Sequence, residues 1–228
     1  MRYRSPAPII LACVVFAAGW VVTLGGQYSL TVNEDRLINA ENEPHNWLLM
    51  NGDYGSLRYS KLTQINRENV ANLRMTWALA LGGMQDVGQN GPESELNPLI
   101  DNGFMYTSDG WGTVYKIDAR NPDYARFEWI ADAGVDHEGN TSRSRGIALW
   151  EESVLANLPD GRVIAIDREN GEIIWDVEIA TSNEFGSRER FTTAPLVANG
   201  KVLVQNGAGD GGEDERAKRS AAADALGF

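Results

Sequence analysis

The sequence has one cysteine, Cys13, and two histidines, His45 and His137. That scarcity excludes a disulfide framework, a thiolate metal site, a paired-histidine metal site and a Ser-His-Asp triad. Basic residues are also in short supply, 20 against 32 acidic ones, for a net charge of −12 and a pI near 4.6. Such a surface repels phosphate backbones, so nucleic acid is excluded as a partner. Long apolar runs are missing except for one, residues 8–24, which follows Arg2 and Arg4. Basic charge ahead of an apolar run marks a secretion signal or signal anchor. The run sits at the lower limit for crossing a bilayer. Hydrophobicity does not fall after Ala17, Ala18 and Gly19, because Trp20, Val21 and Val22 follow, which favours an uncleaved anchor. Cys13 then reads as a small apolar residue of that segment. The positive-inside rule places residues 27 onward in the periplasm, held at the inner membrane. Residues 1–26 are therefore expected to be a signal anchor or signal peptide, and 27–46 a linker.

The 24 glycines and 7 tryptophans are what the sequence has in excess, and they recur with a period. Pro98 to Tyr106 leads into Gly112 to Asp118; Ile147 to Leu155 leads into Gly161 to Asp167; Pro195 to Leu203 begins a third copy. Gly112 and Gly161 lie 49 residues apart, as do Ile117 and Ile166, and Trp77, Trp129 and Trp175 follow in phase. Each copy alternates β-rich runs with turn dipeptides, among them Asn102-Gly103, Asp160-Gly161, Asn170-Gly171 and Asn199-Gly200, which tolerate the positive φ of tight hairpins. A unit of this length with several short strands and a closing tryptophan reads as a propeller blade. One blade alone leaves two apolar faces wet, so blades must stack, with the tryptophan packing between neighbours. A β-sandwich would show short-range strand spacing without the longer period. The expected fold is all-β, a partial β-propeller.

Residues Trp47 to Asn66, with Asn51, Gly52, Tyr54, Arg58, Tyr59 and Ile65 among them, then Asn69, Val70 and Leu73, resemble the opening signature of quinoprotein alcohol dehydrogenases. Val163 to Asp167 with Gly171 and Trp175 resembles the repeat that ends a blade in that family. The resemblance runs from Trp47 to Gly212. It implies an eight-bladed propeller around pyrroloquinoline quinone (PQQ) and a metal, calcium or a lanthanide, with this chain supplying about three and a half blades of it. It implies oxidation of alcohols or aldose sugars, and a membrane quinone or cytochrome c as electron acceptor. Residues 47–212 are the expected blades.

The resemblance also assigns residues. Glu95, three before Pro98, stands where the family has a glutamate touching PQQ; Asn97 replaces a usual threonine. Arg145, before Gly146, stands where an arginine pairs with a PQQ carboxylate, a task suited to its planar fork. Thr192, three before Pro195, stands at a threonine position beside the cofactor, with Thr193 where glycine is usual. Gly207, Ala208 and Gly209 resemble a loop against the quinone, and Asp210 its acidic metal ligand, an oxygen donor for a hard cation. Gly139 to Ser142 holds no cysteine, unlike the adjacent pair of the soluble methanol and ethanol enzymes, which leaves the substrate subclass open. Trp111 is expected to pack rather than to face the channel. From Glu213 to Phe228 the pattern fails, charge-rich and then alanine-rich. The tail 213–228 is expected to be aberrant, and the catalytic aspartate to lie beyond residue 228, so no activity is expected of this chain alone. The alternative is a non-catalytic propeller scaffold at the membrane, which the signature from Trp47, with Glu95 and Arg145, disfavours.

Overall fold

The computed structural model describes residues 31–82, 93–138, 140, 143–181 and 191–205. A short helix α1, Glu34–Ile38, is capped by the Asn33 side chain and followed by a 3-10 turn at Ala40–Asn42; a second 3-10 turn covers Val70–Asn72. Strands follow in chain order: β1 Glu93–Ser94, β2 Leu99–Asp101, β3 Phe104–Ser108, β4 Val114–Asp118, β5 Arg126–Ala131, β6 Arg143–Ser144, β7 Ile147–Trp150, β8 Ser153–Asn157, β9 Arg162–Asp167, β10 Ile173–Glu178, β11 Leu196–Ala198 and β12 Lys201–Leu203.

Among the described residues these strands form two four-stranded antiparallel sheets, β2-β3-β4-β5 and β7-β8-β9-β10, and the hairpin β11-β12. The two sheets are copies. Ser108 faces Val114 in the first, and Asn157 faces Val163 in the second, 49 residues on. Each carries an irregularity between its last two strands, just before Trp129 and Trp175. The inner strand β9 is buried residue after residue, whereas the outermost β10 is exposed or half-buried throughout. A strand covered on both faces needs no alternation, which is why Val163 to Ile166 reads as one apolar run. The architecture is all-β and propeller-like.

The turns are where the repeat expected them. Asn102 and Gly103, and Asn199 and Gly200, have both φ positive, the hairpin form that matches strand twist. At the corresponding turn of the second sheet only Glu151 has a positive φ, +47. Val32 holds it by a pair of backbone hydrogen bonds of 3.2 and 2.8 Å. Gly171, at φ +80, lies against the Trp129 ring so closely that an added Cβ would sit 2.8 Å from the ring. The Trp129 Nε1 and the Lys116 Nζ both donate to the Arg168 carbonyl, at 3.1 and 2.7 Å. The first sheet's tryptophan therefore packs on the second sheet. A separate apolar cluster, Leu155, Ala165, Val197 and Val202 with Trp175 beside it, joins the second sheet to the hairpin.

Two expectations meet a different arrangement. Residues 27–46 read as a linker, yet from Val32 onward the described part is packed: Val32, Leu37 and Leu48 are buried in the main core. Trp47 exchanges hydrogen bonds of 2.8 and 2.9 Å with Ile100, covering the free edge of β2. Arg36 seals the contact, pairing with Glu43 at 2.6 Å and with the fully buried Asp101 at 2.7 Å. Residues 47–81, read as the start of the blades, contain no strand among the described residues, although Trp77 is in phase with Trp129 and Trp175. Those two tryptophans sit on outermost strands, β5 and β10, each after three inner strands; among the described residues no strand precedes Trp77. Leu57, Tyr59, Ile65, Leu73 and Met75 are left more than half exposed. Residues 1–26 and 213–228 lie outside the described residues; among the described ones no helix is long and apolar enough to cross a membrane.

Candidate cofactor site

One end of the sheets collects the lead-in strands and the turns after β3 and β8. There β1 and β6 pair in parallel, Glu93 opposite Arg143 and Ser94 opposite Ser144. This two-residue ladder crosses between the repeat units. It continues with the Glu95 amide donating to the Ser144 carbonyl, 2.9 Å, and the Arg145 amide donating to the Thr192 carbonyl, 2.9 Å. Three successive units are thus stitched side by side at the residues just before β2, β7 and β11.

The side chains follow the stitching. The Arg145 Nε donates to Glu95 Oε2 at 2.8 Å, and its Nη1 to Thr192 Oγ1 at 2.6 Å. Glu95, Arg145 and Thr192, one from each unit, form one hydrogen-bonded cluster. The Arg145 and Glu95 side chains are 35% and 47% exposed. An ion pair that open contributes at most about 1 kcal/mol to folding, so stability does not account for the arrangement. A guanidinium with a neighbouring hydroxyl, open to solvent on one side, has the donors to receive a carboxylate.

The backbone behind Arg145 leaves no slack. Gly146 has φ +151, and an added Cβ would sit 2.6 Å from the Ala194 Cβ and 3.1 Å from the Met50 Sδ. Met50 is tied in turn by its carbonyl, which accepts from Asn97 Nδ2 at 3.0 Å. Beneath lies an apolar cavity of about 210 Å³, bordered by Leu48, Met50, Tyr54, Ile147, Ala194 and Leu196. The Tyr54 hydroxyl closes its rim by donating to the Val197 carbonyl at 2.6 Å.

The turn after β3 stands at the same end. Asp109 Oδ1 accepts the amides of Trp111 and Thr113, at 2.9 and 3.1 Å, and Oδ2 accepts the Tyr115 hydroxyl at 2.9 Å. Burial, and then the hydrogen bond to Asp109, push the Tyr115 phenol up to about 12. Trp111 is 4% exposed and stacks on His137 at 4.0 Å between centroids, so it packs as expected.

Gly207, Ala208, Gly209 and Asp210 lie outside the described residues. Among the described residues no group of three or more His, Cys, Asp or Glu side chains could hold a metal ion. Two features escaped the sequence. One is the chain of serines behind the cluster: Ser94 Oγ donates to the Ser108 carbonyl at 3.0 Å, and the Ser108 and Ser144 hydroxyls share a buried hydrogen bond of 2.9 Å. The repeat could have disclosed it, since Ser108 and Asn157 are 49 apart. The other is the buried ion cluster at the opposite end, where Arg168 donates to Asp101 at 2.5 Å; no spacing announces it.

Comparison with known proteins agrees with the all-β, propeller-like architecture. Residues 47–226 match the family model described as PQQ, glucose/ethanol/alcohol dehydrogenase, β-propeller domain. Over 210 residues the chain is 31% identical to the dehydrogenase subunit of the quinone alcohol dehydrogenase of Gluconacetobacter polyoxogenes, covering 88% of this chain and 27% of that protein. It is 32% identical to the lanthanide-dependent methanol dehydrogenase of Methylacidiphilum fumariolicum, covering 82% and 30%. The structure of quinohemoprotein alcohol dehydrogenase ADHIIG from Pseudomonas putida HK5 superposes with a TM-score of 0.68 at 34% identity, over 78% of this chain and 25% of that one. The chain spans between a quarter and a third of the length of these relatives.

Proposed function

This chain belongs to the PQQ β-propeller family of glucose, ethanol and alcohol dehydrogenases, and from that we propose that it supplies part of a PQQ-binding site. Glu95, Arg145 and Thr192 are the contacts it brings. The observation that carries the reading is the convergence of these three side chains, from three successive units, on one partly open cluster.

The donor chemistry fits the cofactor. PQQ is a flat quinone bearing three carboxylates. Arg145 and Thr192 would hold a carboxylate, and Glu95 keeps the guanidinium turned toward it. Gly207, Ala208 and Gly209 would lie against the ring, and Asp210 would bind calcium or a lanthanide. The bound quinone supplies a two-electron acceptor, and the protein supplies position and field.

For the whole protein the reading is a periplasmic dehydrogenase of alcohols or aldose sugars. It would be held at the inner membrane by residues 1–26 and pass electrons to a membrane quinone or cytochrome c. In that reading the chain is the first part of an eight-bladed ring. The strip around Trp77, which forms no strand here, would become an outermost strand once inner partners from elsewhere in the ring were in place. The chain alone has no dehydrogenase activity in this reading, and dye-linked alcohol oxidation by the 228-residue product would contradict that.

Equilibrium titration of the chain with PQQ, followed by quinone absorbance and tryptophan quenching, tests the reading. Saturable binding is expected, weakened at least about tenfold by Arg145→Ala, the loss of one charge-assisted contact. No saturable binding, or equal binding by the variant, would sink it.

A further inference from the structure

Ser108 and Asn157 occupy one position of the repeat, the last residue of the second strand of each sheet. Both are buried, 0% and 4% exposed. Both reach out of their own sheet to the lead-in of the next unit. Ser108 shares its hydroxyl hydrogen bond with Ser144, the residue before Arg145. Asn157 Nδ2 donates to the Thr193 carbonyl at 2.7 Å, the residue after Thr192. Each tether therefore lands one residue from a member of the Glu95–Arg145–Thr192 cluster. Asn157 Oδ1 has no hydrogen-bond partner among the described residues.

The lead-ins need such tethers. Each is a strand of two residues or fewer, joined by a ladder too short to fix its own height along the sheet. The parallel pair sets which residues are neighbours. The side chain from the preceding unit sets where they stand. Thr193 is tied a second time, its hydroxyl donating to the Gln205 carbonyl at 2.9 Å.

We propose that Ser108 and Asn157 are positioning residues of the cofactor site: the Ser108–Ser144 pair sets the height of Arg145, and Asn157 that of Thr192, so that both donors meet one carboxylate. The inference rests on the PQQ reading and adds to it two residues that touch no cofactor.

The test uses the double variant Ser108→Ala/Ser144→Ala and the single variant Asn157→Ala. Removing both partners of a buried hydrogen bond leaves no orphan group, so the double variant should keep its melting temperature to within a few degrees. Its PQQ affinity should fall about tenfold, as for outer-shell partners of bound groups. The absorption maximum of the bound quinone should also shift, which a purely structural role would not produce. Asn157→Ala should weaken binding to a similar extent. If the unaltered chain binds PQQ and Arg145→Ala weakens it, while both tether variants bind with unaltered affinity and spectrum, the inference fails and the PQQ reading stands. If the unaltered chain does not bind, both fail. Loss of cooperative melting in both variants would assign the tethers to folding alone and overturn the proposal.

Discussion

Tyr115 shows what one buried hydroxyl does at this end of the fold. It donates to Asp109 and accepts the Gly82 amide at 3.0 Å, so it links the turn after β3 to the chain entering the first sheet. Its phenol ionises near 12 instead of 10.0 because burial, and then Asp109, disfavour the phenolate. A folded-state pKa raised above the unfolded one gives stability that is fully present below pH 10 and is lost as pH rises toward 12. Tyr115→Phe should destabilise the chain, and the gap from the unaltered protein should be constant below pH 10 and narrow above it. Urea midpoints across pH 8–12 read this directly; a gap that widens with pH would refute it. The sequence hinted at none of this. Nothing local to Asp109 names Tyr115 as its partner, which is set by the turn that the strand returns to.

The repeated sheets were legible because their signals are local. Asn-Gly dipeptides require positive φ, β-branched runs fill doubly covered strands, and a period of 49 survives substitution. The element that escaped was the segment at 32–46. Its buried apolar residues, Val32, Leu37 and Ala40, are too sparse to announce a face, and its anchorage is a buried charge. Asp101 is fully buried and accepts from Arg36 on one oxygen and from Arg168 on the other, each side chain belonging to a different part of the chain. Asp101→Asn leaves two cations facing a neutral amide, and breaking a buried ion cluster from one side costs about 3–5 kcal/mol. The variant should unfold at lower urea, and limited proteolysis should cut within residues 32–46 first. A midpoint equal to that of the unaltered chain would show that the cluster does not hold the segment.

For the molecule as a whole, the sequence supplied identities and the folded chain supplied adjacency. Glu95, Arg145 and Thr192 could be picked out one at a time because each stands in a short stretch that resembles the family, just ahead of β2, β7 and β11. That their side chains touch follows from the parallel ladder of β1 and β6, a contact between units that no single unit encodes. The exposed apolar strip from Leu57 to Met75 belongs to the same scale. The sequence marks its residues as blade-forming, yet among the described residues it joins no sheet, and no inner strands precede Trp77 there, although Trp77 has the phase of an outermost strand.

Trp129 closing on Gly171 sets a direction of assembly. The tryptophan of the first sheet finds its seat only when a turn some forty residues later in the chain has formed. During synthesis, each finished blade therefore waits with its indole in water until the ribosome has delivered the next. Ribosome-bound chains with residues up to 150 outside the tunnel should let acrylamide quench Trp129, in a background whose other tryptophans are replaced by phenylalanine. Those exposing residues up to 181 should protect it, and equal quenching at both lengths would show that the seat is not built in that order.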